Sequence, residues 1–106
     1  MSNADIRVGD IGTIFRLTIV DKVDDPVNIS AATLMEVRFG KPGGVSVDLP
    51  AAFETDGVDG VIVYTAVSGD LDLSGRWRIQ AHIVSPAGEW RSEIETFQVA
   101  ENLDAP

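Results

Sequence analysis

The sequence predicts an all-β domain, a sandwich or barrel of about seven to nine short, mainly antiparallel strands. Three observations carry that prediction. Apolar residues alternate with polar ones at a period of two, and no window repeats them at i, i+3, i+4 and i+7 over three turns. Turn signals recur about every 8–12 residues, the spacing of sandwiches and barrels. Ten glycines and five prolines punctuate the apolar runs. A chain of 106 residues is one domain, and the patterned region covers residues 5–100.

The elements follow in order. Met1-Ser2-Asn3-Ala4 carries no pattern and reads as a vector-derived or disordered start. Ile6-Arg7-Val8 suits a short edge strand. Gly9-Asp10 and Gly12 then turn the chain into the first long strand, Thr13 to Asp21, where Phe15, Leu17 and Ile19 share one parity. Asp24-Asp25-Pro26 is a turn, since Pro fixes φ and Asp caps through its side chain. Val27 and Ile29 form a short strand before the second long one, Thr33 to Gly40, with Met35, Val37 and Phe39 on one face. Lys41-Pro42-Gly43-Gly44 is a hairpin turn: Pro at the first central position, Gly supplying positive φ at the second. Val45, Val47 and Leu49 return until Pro50 removes a ladder donor. Phe53-Glu54-Thr55 is a further short run between Pro50 and the turn pairs Asp56-Gly57 and Asp59-Gly60.

Val61 to Ala66 is apolar on both parities, as expected of a central strand covered on both faces. Ser68 to Gly75 is a loop. Trp77 to Val84 is the longest clean alternation, with Trp77, Ile79, Ala81 and Ile83 inward and Arg78, Gln80 and His82 outward. Ser85-Pro86-Ala87-Gly88 turns the chain back along Glu89 to Val99, and residues 101–106 form a frayed tail. Within the last run, Ile94 lies on the parity opposite to Phe97 and Val99. A one-residue slip exchanges the faces of a strand, so a β-bulge or a crossing between sheets is required near Glu95-Thr96. The predicted core is Phe15, Leu17, Val37, Phe39, Val63, Trp77, Ile79 and Ile83.

Composition excludes several functions. Eight basic and 17 acidic residues give a net charge of −9. With no basic run, such a surface argues against nucleic acid or an anionic membrane as partner. The absence of Cys excludes disulfides, thiolate metal sites and cysteine nucleophiles. No apolar stretch approaches the ~20 residues of a membrane span, and no signal-peptide pattern is present.

The motifs occur in a distinctive order. Gly9-Asp10-Ile11-Gly12-Thr13 leads into Phe15–Ile19, then Val27-Asn28-Ile29-Ser30-Ala31-Ala32-Thr33 feeds Val37-Arg38-Phe39. Lys41-Pro42-Gly43-Gly44, Gly60-Val61-Ile62-Val63-Tyr64, Gly75-Arg76-Trp77 and the closing Thr96-Phe97-Gln98-Val99 follow. This order resembles the immunoglobulin-like domain at the N-terminus of bacteriophage baseplate upper proteins and related small phage tail proteins, over about residues 9 to 99. The chain departs from that pattern at Gly43, where the family carries an acidic residue, and at Asn28 and Ser30. The resemblance implies an immunoglobulin-like β-sandwich. It also implies a non-catalytic assembly role in a phage or prophage tail or baseplate, through contacts with other tail proteins or with itself. The implied location is the virion, or the host cytoplasm before assembly.

Few residues suggest chemistry. His82, the lone histidine, has outward parity; with Ala87-Gly88 centring the turn it faces Glu93, and Gln80 faces Glu95, a surface cross-strand pairing. Catalysis would need a nucleophile and an orienting group beside it. The acidic clusters Asp21-Asp24-Asp25, Asp56-Asp59 and Asp70-Asp72 contain oxygen ligands suited to Ca²⁺. Asp70 and Asp72 are the closest pair, but the Gly at the sixth and Glu at the twelfth position of a calcium loop are missing; turn capping accounts for them, and no metal or cofactor is assigned. Trp77 has core parity. Trp90, beside Glu89 and Arg91 at a hairpin turn, is an interface anchor or is buried against a neighbouring loop. The candidate interface is Trp90, Arg91, Glu89 and Glu93. The alternative function is a carbohydrate-binding module using Trp90 and Arg91.

Overall fold

Each long period-two segment is a strand in the computed structural model, which describes residues 6–103. The strands are β1 (Ile14–Thr18), β2 (Leu34–Gly40), β3 (Ser46–Pro50), β4 (Ala52–Phe53), β5 (Val61–Thr65), β6 (Gly75–Ser85), β7 (Gly88–Arg91) and β8 (Glu95–Val99). Expectations for residues 1–5 and 104–106 lie outside the described residues. The strands form two antiparallel sheets, one ordered β1-β5-β4, the other β3-β2-β6-β7 with β8 also on β6. No helix occurs among the described residues, so the all-β sandwich stands with eight strands.

The inner faces bury most of what the alternation assigned to them; Phe15 is only partly buried, packed against the core from β1. Leu17, Val37, Phe39, Trp77, Ile79 and Ile83 are buried, together with Ile19, Ile29, Ile62, Ala81 and Val99. Aromatic rings join the two sheets: Phe15 of β1 meets Phe39 of β2 edge-on at 5.3 Å and Phe97 of β8 at 4.9 Å. Trp77 lies 6.0 Å from Phe39 and donates its indole N–H to the Leu73 carbonyl at 3.0 Å, so its one polar atom is satisfied. At the same end, the Lys41 ammonium sits 5.7 Å from the Trp77 ring centroid and 3.1 Å from Asp72.

The turn chemistry explains the register. Pro42 and Gly43 are the central residues of a turn in which the Gly44 N–H donates to the Lys41 carbonyl at 3.1 Å, and Gly43 adopts φ +95°. The turn sets Gly40 opposite Ser46 and Val37 opposite Leu49. Gly60, at φ +75°, is held where a Cβ would lie 2.8 Å from both the Ile19 and Val27 carbonyl oxygens. Only Gly lets the 54–60 loop approach the 19–27 segment so closely.

Four expectations change. β5 is central in its sheet, but Ile62 is its buried residue; Val63 stands on the outer face, half-buried, opposite Arg16 and Ala52. An ion pair from Arg16 to Glu54 spans that outer face from one side of β5 to the other. Periodicity could not choose between Ile62 and Val63, because both parities of the run are apolar. Val27 and Ile29 form no strand: an isolated bridge joins Val20 to Pro26, and Ile29 is buried from a loop. Ile6–Val8 contributes one parallel bridge, Arg7 to Ala100, and no full strand. That bridge also ties down the expected frayed tail as far as Asn102. Arg7 donates to the Glu101 carbonyl at 3.1 Å, and the Asn102 amide donates to the Val8 carbonyl at 3.0 Å.

Candidate functional site

The long strand β6 has two partners along one edge. Its C-terminal half pairs with β7, His82 opposite Arg91 and Ile83 opposite Trp90; its N-terminal half pairs with β8, Ile79 opposite Glu95. Between these ladders Gln80 and Ala81 face Ser92, Glu93 and Ile94, an insertion of one residue. This is the bulge that the parity conflict required, placed just before Glu95. Ser92 occupies it, buried at 7% exposure. Its hydroxyl accepts from the Ala81 N–H at 2.8 Å and its carbonyl accepts from the Gln80 amide at 2.8 Å, so the interrupted ladder leaves no orphan there.

The hairpin turn has two central residues, Pro86 and Ala87, since Ser85 pairs with Gly88. His82 therefore faces Arg91 and not Glu93, and Gln80 does not face Glu95. The two-residue shift preserves faces, so His82 still points outward. There Glu36 of β2 lies 3.5 Å from Nδ1, and Glu89 of β7 is bound at Nε2, with Arg91 contacting Glu89 at 3.2 Å. The His82 hydrogen bond and the Arg91 charge hold the Glu89 carboxyl below the usual carboxylate range. The two carboxylates take opposite ring nitrogens, which leaves no convergent lone pairs for a metal. Beside them, Arg38 binds Asp48 of β3 through two hydrogen bonds of 2.6 and 3.0 Å, which lowers the Asp48 pKa.

The four candidate interface residues do not share one surface. Trp90, opposite the buried Ile83, lies on the inner side and packs partly against the core. Its remaining edge lines a shallow, open groove with Val20, Asp21, Lys22 and Val23, and Val23 is 72% exposed. Arg91 and Glu89 stand on the opposite side of the strand, as alternation demands, and are exposed. Glu93 is exposed within the bulge.

The acidic clusters cap turns. Asp21 accepts from the N–H groups of Val23 and Asp25 at 2.9 and 3.0 Å, Asp56 from Val58 and Asp59 from Val61. Asp70 accepts from the Val67 N–H at 2.9 Å and from the Tyr64 hydroxyl, while Asp72 binds Lys41. The pair nearest to a calcium loop is thus divided between different partners, and no metal-holding cluster occurs among the described residues. Burial, and then the bond to Asp70, push the Tyr64 pKa up to about 12.

Sequence reasoning missed one feature. The outward strand positions of the five-stranded sheet place Arg38, Arg76, Arg78 and Arg91 together. The sequence alone puts Arg76, Arg78 and Arg91 on one hairpin; Arg38 joins them only through the pairing of β2 with β6, which no local pattern reveals. A shallow cavity of about 130 Å³ opens on this face, floored by Gly40 and walled by Arg38, Arg78, Ser46 and Ile94.

Against known protein families, no family model matches the chain. No curated protein matches it. No helix among the described residues is long and apolar enough to cross a membrane.

Proposed function

We propose that this chain is a non-catalytic assembly module of a phage or prophage tail or baseplate, an immunoglobulin-like sandwich acting through protein–protein contacts. The tail setting rests on the order of sequence motifs set out above. The single observation that carries the assembly role is the groove at the hairpin end. There a half-buried Trp90 and an exposed Val23 offer an anchored aromatic beside apolar surface, the composition of interface centres. The placement of Trp90 and Arg91 on opposite sides of β7 favours this over a sugar platform using both.

The test is reconstitution with the proteins encoded beside it. At least one should be a virion structural protein that co-elutes with this chain in a defined stoichiometry. Val23→Glu should weaken that complex about tenfold or more. Its unfolding midpoint should stay unchanged, because Val23 contributes no core contact. Failure of every neighbouring protein to bind would sink the reading.

A further inference from the structure

Charge is distributed unevenly over this molecule. Outside the bulge, the outward strand positions of the five-stranded sheet carry four of the chain's eight basic side chains, against the carboxylates Glu36, Asp48 and Glu89. Those carboxylates are engaged by Arg38, His82 and Arg91. Arg76 and Arg78 have no carboxylate partner among the described residues. Arg78 lies across Gly40, where a Cβ would meet its Nε at 3.4 Å, and walls the cavity beside it; Ile94 adds an apolar rim at 55% exposure.

Two loop segments form the chemical complement. The 20–26 and 54–60 segments are joined by backbone bonds from Ile19 to Gly60 and from Ile29 to Gly57. They present Asp21, Asp24, Asp25, Asp56 and Asp59 against the single cation Lys22, all exposed, around Val23 and Val58, which are 72% and 54% exposed. This end adjoins the β6–β7 turn, because Trp90 shares its groove with Val20–Val23. Arg78 lies six residues back along β6 from Val84, about 20 Å of extended strand. The Arg76–Arg78 part of the arginine face is therefore set back from the acidic end, whereas Arg91 lies next to Trp90 at that end.

We infer that the arginine face of one copy docks the acidic, valine-bearing end of a second copy, a carboxylate entering the cavity beside Arg78. The inference rests on the assembly reading and names the partner surface. Like-charged copies repel at a distance, but at about 150 mM salt the screening length is about 8 Å, so local complementarity decides. The pair so formed keeps one unused surface of each kind, one on each copy. The contact is therefore heterologous and propagates into a ring or an open filament.

Sedimentation velocity on the full chain tests this. In about 150 mM NaCl the mean mass should rise with concentration up to about 1 mM, and in about 1 M NaCl it should return towards the monomer. Arg78→Glu, with Arg76→Glu as a second variant, should weaken association about tenfold or more. Asp25→Lys should do the same from the other surface. All three positions are exposed, so unfolding midpoints should match the wild type. Mixing Arg78→Glu with Asp25→Lys leaves one intact surface of each kind and should restore a one-to-one dimer and nothing larger. A wild type that stays monomeric, a closed dimer indifferent to Arg78→Glu, or a mixture that stays monomeric would each overturn the inference. The neighbouring-gene reconstitution would still decide the assembly reading.

Discussion

Tyr64 is the chain's single tyrosine, so its ionisation can be followed by absorbance without interference. Its phenol is held neutral by burial and by donation to Asp70, with a pKa of about 12 against an ordinary 10.0. A raised pKa means that the stabilising contribution is complete below the unfolded value and is lost as pH rises through the folded one. Tyrosinate absorbance should therefore rise with a midpoint near pH 12, and stability should decline between pH 10 and 12. Asp70→Asn should move the midpoint back towards 10; an unmoved midpoint would show that Asp70 has no part in it. The facing of β5 gives a second test at this scale. Ile62→Ala removes a fully buried side chain and should cost about 2–5 kcal/mol. Val63→Ala, on the half-covered outer face, should cost less than about 1.5 kcal/mol. Equal losses in urea unfolding would reverse the assignment. Phe39→Ala, at the centre of the aromatic cluster, should cost about 3–5 kcal/mol.

At the scale of elements, β7 is fastened to β6 by charge as well as by its ladder. The Glu89 pKa is depressed by His82 and Arg91, so its contribution is present above the ordinary value of 4.5 and is lost as pH falls through the folded value. The wild type should lose urea resistance on acidification below about that pH more steeply than Glu89→Gln, and parallel curves would refute the fastening. The bulge gives a sharper test. Ser92→Ala leaves the Ala81 N–H without its acceptor in a buried ladder and should cost about 1–3 kcal/mol. These elements were legible to unequal degrees. The alternation of Trp77–Val84, the Pro42-Gly43 turn and the parity conflict around Ile94 were local patterns, and each fold feature drawn from them is present. The side taken by Val63 was not legible, because both parities were apolar. The exact partner of His82 depended on whether the turn centred on Pro86-Ala87 or one residue later. The Glu36–His82–Glu89 cluster and the place of Arg38 on the arginine face depend on pairing between β2 and β6, whose partners such as Glu36 and His82 are far apart in the chain, which no short window contains.

At the scale of the whole molecule, β6 is the strand on which the five-stranded sheet depends, pairing with β2 on one edge and with β7 and β8 on the other. The second sheet likewise waits for β5 to reach β1, Leu17 opposite Ile62. Such distant pairings predict refolding in the milliseconds-to-seconds range of β-sandwiches, and a microsecond phase accounting for the full amplitude would contradict the topology. They also impose an order on biosynthesis. A chain growing from its N-terminus carries β2 and β3 as a hairpin with one edge uncovered until residues 75–85 have been translated and released from the ribosome. During that interval Val37 and Phe39 have no sheet to face, and the open edge can accept any strand that arrives. A stall that exposes β2 and β3 while residues 75–85 are still inside the ribosome should therefore increase aggregation of the nascent chain more than an earlier stall that keeps β2 and β3 inside it.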